Sequence, residues 1–226
     1  MVGPSQRAGL TALENWDRLA AHYDRQLWLE RDAIRLALDL AAPRETDRLL
    51  DIGTGTGLVL RELARRQDRP EAAVGIDRSA EMLRRVPKLP NGWEVRHASA
   101  LDLPFASAEF DVAIVAYVLH VLADESVPRV LAEVARVLRP GGRLVTVTPV
   151  VPARGVGHAV ATLTGTFARL SPQRLGGLRP MDPTTAIDAA GFTIERTRIT
   201  VRGYPSVCLL AVAGDDGSAR VRRPAS

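Results

Sequence analysis

Apolar residues recur at helical spacing from Leu29 to Ala42, with Ile34, Leu38 and Ala41 on one face, and Pro43 ends the run. The stretch before it, Leu13 to Leu27, reads as another helix. Beyond Pro43 the pattern alternates. A strand at Arg48 to Ile52 runs into a glycine-rich turn and a helix through Leu60, Leu63 and Ala64. A strand at Ala72 to Ile76 is followed by a short helix, Ser79 to Arg85, that ends before Pro87. Further strands are expected at Trp93 to His97 and Phe110 to Ala116. The clearest helix is Val127 to Leu138, which keeps Val130, Leu131, Val134, Val137 and Leu138 on one side. Pro140-Gly141-Gly142 signals a turn into the strand Arg143 to Thr148. Repeated strand–helix order predicts a parallel sheet with helices on both faces.

After Pro149 the regularity breaks. Residues 150–180 are rich in Gly, Pro, Thr and Arg and give no clear period. Pro183 to Ala190 reads as a helix capped by Gly191. Phe192 to Val201 and Ser206 to Ala213 then form a hairpin added to the parallel sheet. The expected organisation is a helical cap over 1–42, a core over 43–149 and a lid or acceptor insertion over 150–182. The rest of the sheet follows over 183–213, with a tail over 214–226. Val151, Val160, Leu163, Phe167 and Leu170 give the insertion an apolar character.

Composition narrows the function classes. The 226 residues suit one domain. No apolar run approaches the roughly 20 residues of a bilayer span, and the first residues lack the apolar core of a secretory signal. Cys208 is the single cysteine, which excludes an intramolecular disulfide and any Cys-based metal cluster; no metal is expected. The expected compartment is therefore cytoplasmic. Lys88 is the one lysine among 30 basic residues, and 26 acids interspersed with them leave a formal net charge of only +4. The arginines are scattered except for Arg220, Arg222 and Arg223 in the tail, so nucleic acid is not the expected partner.

The chemistry concentrates in two places. Leu49-Leu50-Asp51-Ile52-Gly53-Thr54-Gly55-Thr56-Gly57 is an apolar strand ending beside an acid, then three glycines at alternate positions, then a helix. Such glycines permit a tight turn and close approach of backbone to a ligand, and the helix start beyond offers unpaired N–H groups. No Lys-Ser/Thr pair follows, which argues against a nucleoside triphosphate loop. The second place is Val74-Gly75-Ile76-Asp77-Arg78-Ser79, where Asp77 ends a strand. A carboxylate there can accept both hydroxyls of a ribose. The alternative is that Asp77 merely caps the next helix. Together the two signals point to an adenosyl ligand.

From about Tyr23 to Val212 the chain resembles the class I S-adenosylmethionine (SAM)-dependent methyltransferases that act on quinones, polyketides and other small molecules. The resemblance rests on Asp51–Gly57, Asp77, Met82-Leu83, Leu103-Pro104-Phe105, Phe110-Asp111-Val112, Leu119-His120, Val137-Leu138-Arg139-Pro140-Gly141-Gly142 and Ala190-Gly191-Phe192. It implies an α/β fold with a Rossmann-like, seven-stranded, mostly parallel sheet whose last strand is antiparallel, under an N-terminal helical cap. The cofactor it implies is SAM, with S-adenosylhomocysteine (SAH) as product. By the same resemblance Asp51, Gly53, Thr54, Gly55 and Gly57 form the methionyl loop. Asp77 takes the ribose, Arg78 and Met82 flank the adenosyl group, and Ala100 and Leu101 line the adenine. Ala116 and Tyr117 lie near the sulfonium, and Tyr23 closes over the cofactor carboxylate. Where the family has Gly-Asp-Ala, this chain has Ala98-Ser99-Ala100, so either Ser99 or Asp102 stands in for the adenine-binding Asp.

Methyl transfer requires an acceptor atom aligned about 3 Å from the methyl carbon and, for some acceptors, a base. His120, just after the fourth strand, is the expected base, with a helix-end histidine bonded to backbone as the alternative. His158 in the insertion is a second candidate, whereas His22 and His97 read as structural. Val115-Ala116-Tyr117-Val118 is not the Asn/Asp-Pro-Pro-Tyr motif of exocyclic-amine methylation of adenine, and no second cysteine is available for arsenic chemistry. The expected reaction is O-, N- or C-methylation of a small organic acceptor. A SAM-binding protein without methyl transfer, an RNA methyltransferase and a homodimeric assembly stay open.

Overall fold

The computed structural model describes residues 27–150 and 181–214. Helix α1 (Leu27–Ala41) leads into strand β1 (Arg48–Ile52), helix α2 (Leu58–Ala64), strand β2 (Ala72–Asp77) and the one-turn helix α3 (Ala80–Leu83). Strands β3 (Trp93–His97) and β4 (Phe110–Ala116) follow, then two 3-10 turns, Leu119–Val121 and Asp124–Ser126, and helix α4 (Val127–Val137). Strand β5 (Leu138–Pro149), helix α5 (Thr184–Ala189), strand β6 (Phe192–Thr200) and strand β7 (Ser206–Ala213) complete the chain order.

The sheet has seven strands in the order β3-β2-β1-β4-β5-β7-β6. β3 to β5 pair in parallel, and β7 enters antiparallel between β5 and β6. The expected hairpin is therefore present, with its second strand placed inside the sheet and its first strand at the edge. Alternate residues of β1, β2, β4, β5 and β7 feed two cores, as the two-residue period of a strand requires. Leu49, Ile114, Val145 and Leu210 pack beneath α1 and α2. Leu50, Ala113, Leu144 and Leu209 pack beneath α4 and α5. Among the described residues no helix is long and apolar enough to cross a membrane.

One boundary differs from expectation. β5 begins at Leu138, directly after α4, rather than at Arg143. Leu138 pairs with Phe110 and Arg143 with Val112, so the turn signal Pro140-Gly141-Gly142 forms an irregularity within the strand. Gly141, at φ 72°, supplies the left-handed backbone that this excursion needs. Calls on residues 1–26, 151–180 and 215–226, Tyr23, His22 and His158 among them, lie outside the described residues.

The sheet order reverses between β1 and β4, where β2 and β3 extend one way and β5 onward the other. At such a switch point the loops leaving adjacent strands diverge and open a crevice at the carboxyl ends. The loops after β1, β2 and β4 all empty into it.

Candidate active site

The segments after β1, β2 and β4 build most of the crevice, with Ala98 and Ala100 added from beyond β3. The loop after β1 holds Gly53 and Gly55 at φ 71° and 55°, the left-handed region in which side chains are strained. A Cβ on Gly53 would lie 2.3 Å from Val118 Cγ2, so the glycine is also the space through which the β1 and β4 loops touch. Thr54 N–H donates to the Ile76 carbonyl at 2.8 Å, pinning the loop across β2. That approach requires Gly75, where a Cβ would meet Thr54 Oγ1 at 2.8 Å and Leu60 Cδ1 at 2.9 Å.

Asp77 ends β2 with its carboxylate held by backbone. One oxygen accepts from Gly55 N–H and the other from Ser79 N–H, each at 2.8 Å. Each oxygen keeps a further lone pair, the arrangement a vicinal diol needs. Burial raises the pKa of Asp77, while the N–H groups of Ser79, Gly55 and Arg78 pull it back. The structure thus gives Asp77 more than a capping role: it ties the β1 loop to β2. The cap of α3 comes from Ser79, whose hydroxyl accepts from Met82 N–H.

Beneath the loop lies Asp51, only 1% exposed. Its Oδ2 and the nearby Thr54 Oγ1 are both buried, with no hydrogen-bond partner other than each other among the described residues. Burial lifts the Asp51 carboxyl to about 7, with Thr54 lowering it and Asp77 adding to the rise. Unsatisfied buried polar atoms are rare in folded proteins and call for an explanation. A cationic, hydrogen-bonding ligand group in the loop would supply one.

From the other side Ala116, Tyr117 and Val118 leave β4. Tyr117 takes a left-handed backbone at φ 57°, unusual for a residue with a Cβ. Its N–H donates to the Val147 carbonyl at 2.9 Å, and its ring packs into the core beneath α1. The resulting cavity is lined by Gly53, Gly55, Asp77, Arg78, Met82, Ala100, Ala116 and Tyr117, all expected from the sequence. Ile76, Ser79, Ala98, Val118, Val121 and Leu122 complete the lining and were not foreseen. Ser79 and Ala98 had a legible signal, since each flanks an expected contact.

Six expected residues sit elsewhere. Asp51 and Thr54 lie buried behind the loop, not on the cavity surface. Gly57 serves the turn: it precedes α2 at φ 83°, its N–H donates to the Thr54 carbonyl, and a Cβ there would meet Val86 Cγ1 at 3.0 Å. Ser99 and Leu101 are absent from the lining. The Leu101 N–H, expected to face the ligand, donates to Ser99 Oγ at 3.2 Å instead. This small turn is locked from α4 by Arg129, whose Nε donates to the Leu101 carbonyl at 2.9 Å. His120 is 2% exposed, stands edge-on to Tyr117 with ring centroids 6.1 Å apart, and is likewise not in the lining. His97, read as structural, bonds through Nε2 to the Arg78 carbonyl at 2.8 Å.

Residues 50–146 match the family model described as a methyltransferase domain. Over 181 residues the chain is 36% identical to the ubiquinone/menaquinone biosynthesis C-methyltransferase of Syntrophotalea carbinolica, covering 76% of this chain and 74% of that protein. The chain belongs to the class I SAM-dependent methyltransferases. It is an enzyme that uses SAM to methylate a small molecule. The nocamycin O-methyltransferase of Saccharothrix syringae is 36% identical over 143 residues, which are 61% of this chain and 50% of that one. Among solved structures, the methyltransferase in complex with the Haloferax volcanii Trm112 activator shares the fold at a TM-score of 0.70. Its identity is 17%, and the match covers 90% of this chain and 96% of that one.

Proposed function

We propose that this methyltransferase acts on a quinol- or phenol-like acceptor that enters over Ala116 and Val118, with SAM held between the β1 loop and Asp77. The observation that carries the reading is the convergence of Gly53, Gly55, Asp77 and Ala116 on one cavity above the buried Asp51 carboxylate, beside which stands the Thr54 hydroxyl. The residues fit the cofactor. Gly53 and Gly55 leave room for its methionyl chain, Asp77 offers lone pairs to the ribose hydroxyls, and Met82 and Ala100 flank the adenosyl side. Asp51 and Thr54 stand behind the loop as partners for the amino group. Bound there, SAM supplies an electrophilic methyl on a sulfonium sulfur.

The chain's own contribution is alignment and exclusion of water. Val118, Val121 and Leu122 present apolar surface beside Ala116, the side from which an acceptor approaches. An apolar wall suits a flat aromatic ring and suppresses hydrolysis of the methyl donor. The acceptor class is further supported by the quinone and natural-product substrates in the names of the relatives. A cytoplasmic location is supported by the single free cysteine, which is buried.

The test is transfer of tritium from methyl-labelled SAM to a short-chain demethylmenaquinol and, in parallel, to a simple phenol. Label in the organic extract with either acceptor, abolished by Asp77→Ala, is the expected result. Label recovered only in added RNA would overturn the acceptor class.

A further inference from the structure

Ser206 opens β7, is fully buried, and does not line the cavity. Its hydroxyl donates to the Tyr204 carbonyl at 2.9 Å and lies 2.7 Å from the Tyr117 hydroxyl. A serine hydroxyl has one proton. With that proton directed at Tyr204, Ser206 Oγ accepts from Tyr117, so the relay runs Tyr117 O–H to Ser206 and Ser206 O–H to Tyr204. Burial holds the Tyr117 phenol above its ordinary range, which keeps the donor protonated. Tyr204 N–H in turn donates to the Leu29 carbonyl of α1 at 2.9 Å. The cavity wall is thereby tied to the first turn of α1 through residues 89 positions apart in sequence.

What the relay restrains is a backbone that would otherwise relax. Among the described residues only Ala42, Ala108 and Tyr117 combine a side chain with positive φ, and of these Tyr117 alone lines the cavity. Its neighbours Ala116 and Val118 line the cavity too. Val118 is the residue that meets Gly53. Rotation of Tyr117 toward the common right-handed or extended regions would carry Val118 off the glycine loop and reshape the wall.

We propose that Ser206 is a positioning residue for the cofactor site, anchoring the Tyr117 hydroxyl so that the left-handed turn keeps Ala116 and Val118 against Gly53. The role rests on the reading that this cavity takes SAM and SAH. It explains why a polar side chain sits fully buried at the start of β7, where packing alone would favour an apolar one.

The experiment is calorimetric titration of SAH into the wild type, Tyr117→Phe, Ser206→Ala, the double variant and Cys208→Ala, with a melting temperature for each. Cys208 is buried two residues further along β7 and off the cavity, so its variant reports loss of packing and of the Sγ–H bond to the Ala33 carbonyl, outside the Tyr117–Ser206–Tyr204 relay. Ser206→Ala leaves the phenol hydroxyl buried and unpaired, and is expected to weaken SAH by about tenfold. Tyr117→Phe leaves Ser206 bonded to Tyr204 and is expected to cost about fivefold. The double variant should return to the Tyr117→Phe value, because no unpaired phenol hydroxyl remains. Cys208→Ala should stay within about twofold of wild type despite a lower melting temperature. Affinities of Ser206→Ala and Tyr117→Phe matching that of Cys208→Ala would overturn the positioning role. If Ser206→Ala does not fold, Tyr117→Phe against Cys208→Ala decides. Failure of the wild type itself to bind SAH would overturn the cofactor site and this role with it.

Discussion

Replacing Asp51 by Asn should make the protein more stable, by a margin that grows as pH rises from 5 to 7 and is level above 7. Asp51 is 1% exposed, and burial lifts its carboxyl to about 7, against 3.8 for an unperturbed aspartate. Between those two values the folded protein holds a proton that the unfolded chain has released. Stability therefore falls as pH rises through this window, and the loss is complete above it. About three units at about 1.36 kcal/mol each come to about 4 kcal/mol. Asn is neutral at every pH and nearly isosteric, so it escapes the whole penalty; the part that develops between pH 5 and 7, about two units, comes to about 3 kcal/mol. The assay is urea denaturation of both proteins at half-unit steps from pH 5 to 8. Other groups titrate equally in both, and their contribution cancels in the difference. A wild-type minus variant difference that stays level across the range would refute the buried-charge reasoning.

The same carboxyl should reveal its function through the cofactor. If the ammonium of SAH lies against Asp51, binding selects the ionised acid and expels its proton. Affinity should then climb up to about tenfold per pH unit below 7 and level off above it, with proton release visible as a buffer-dependent enthalpy. Asp51→Asn should bind weakly at every pH, without that slope. A variant more stable than wild type yet poorer at binding is what a strained functional carboxylate predicts.

The remaining predictions address the rest of the site. Gly53→Ala should abolish SAH binding while near-native circular dichroism persists, because the added Cβ meets Val118 at 2.3 Å in a left-handed backbone; normal calorimetric affinity would contradict it. Asp77→Ala should cost about 2–3 kcal/mol of SAH affinity through the ribose hydroxyls, and undiminished affinity would remove that assignment. His120→Ala should leave SAH affinity within about twofold and the pH–rate profile unchanged, since His120 is buried off the cavity lining. A turnover loss of a hundredfold together with a lost acidic limb would instead assign it the acceptor's proton.

The parts of this site that were legible in the sequence are those whose chemistry is local. Gly53, Gly55 and Asp77 are readable because a strand, its exit turn and the acid ending the next strand are each short windows. Parallel pairing of β1 with β2, Asp51 beside Gly75, then brings the windows together without further information. The two hairpin strands were legible for the same reason, from alternation and a turn. Ser99 and Leu101 fall off the cavity lining because a three-residue turn can close on itself. The Ser99 hydroxyl takes the Leu101 N–H before any ligand can, and no pattern of residue types announces which partner wins. The start of β5 was missed because Pro and Gly signal a break in direction, yet here they form an irregularity between two paired stretches.

His120 and Tyr117 show the deeper limit. Both follow β4, three residues apart, and sequence position made His120 the more reactive candidate. The Tyr117 hydroxyl meets Ser206 across the sheet, its ring packs into the core and its backbone is left-handed, while Val118, Val121 and Leu122 line the cavity. A 3-10 turn advances 120° per residue, so Val118 and Val121 share one direction while His120, between them, points elsewhere. The residue able to exchange a proton is thus kept off the cavity lining by the period of the turn that carries it. The apolar character of this stretch of the cavity follows from that spacing, because it is Val118, Val121 and Leu122, and not His120, that line it.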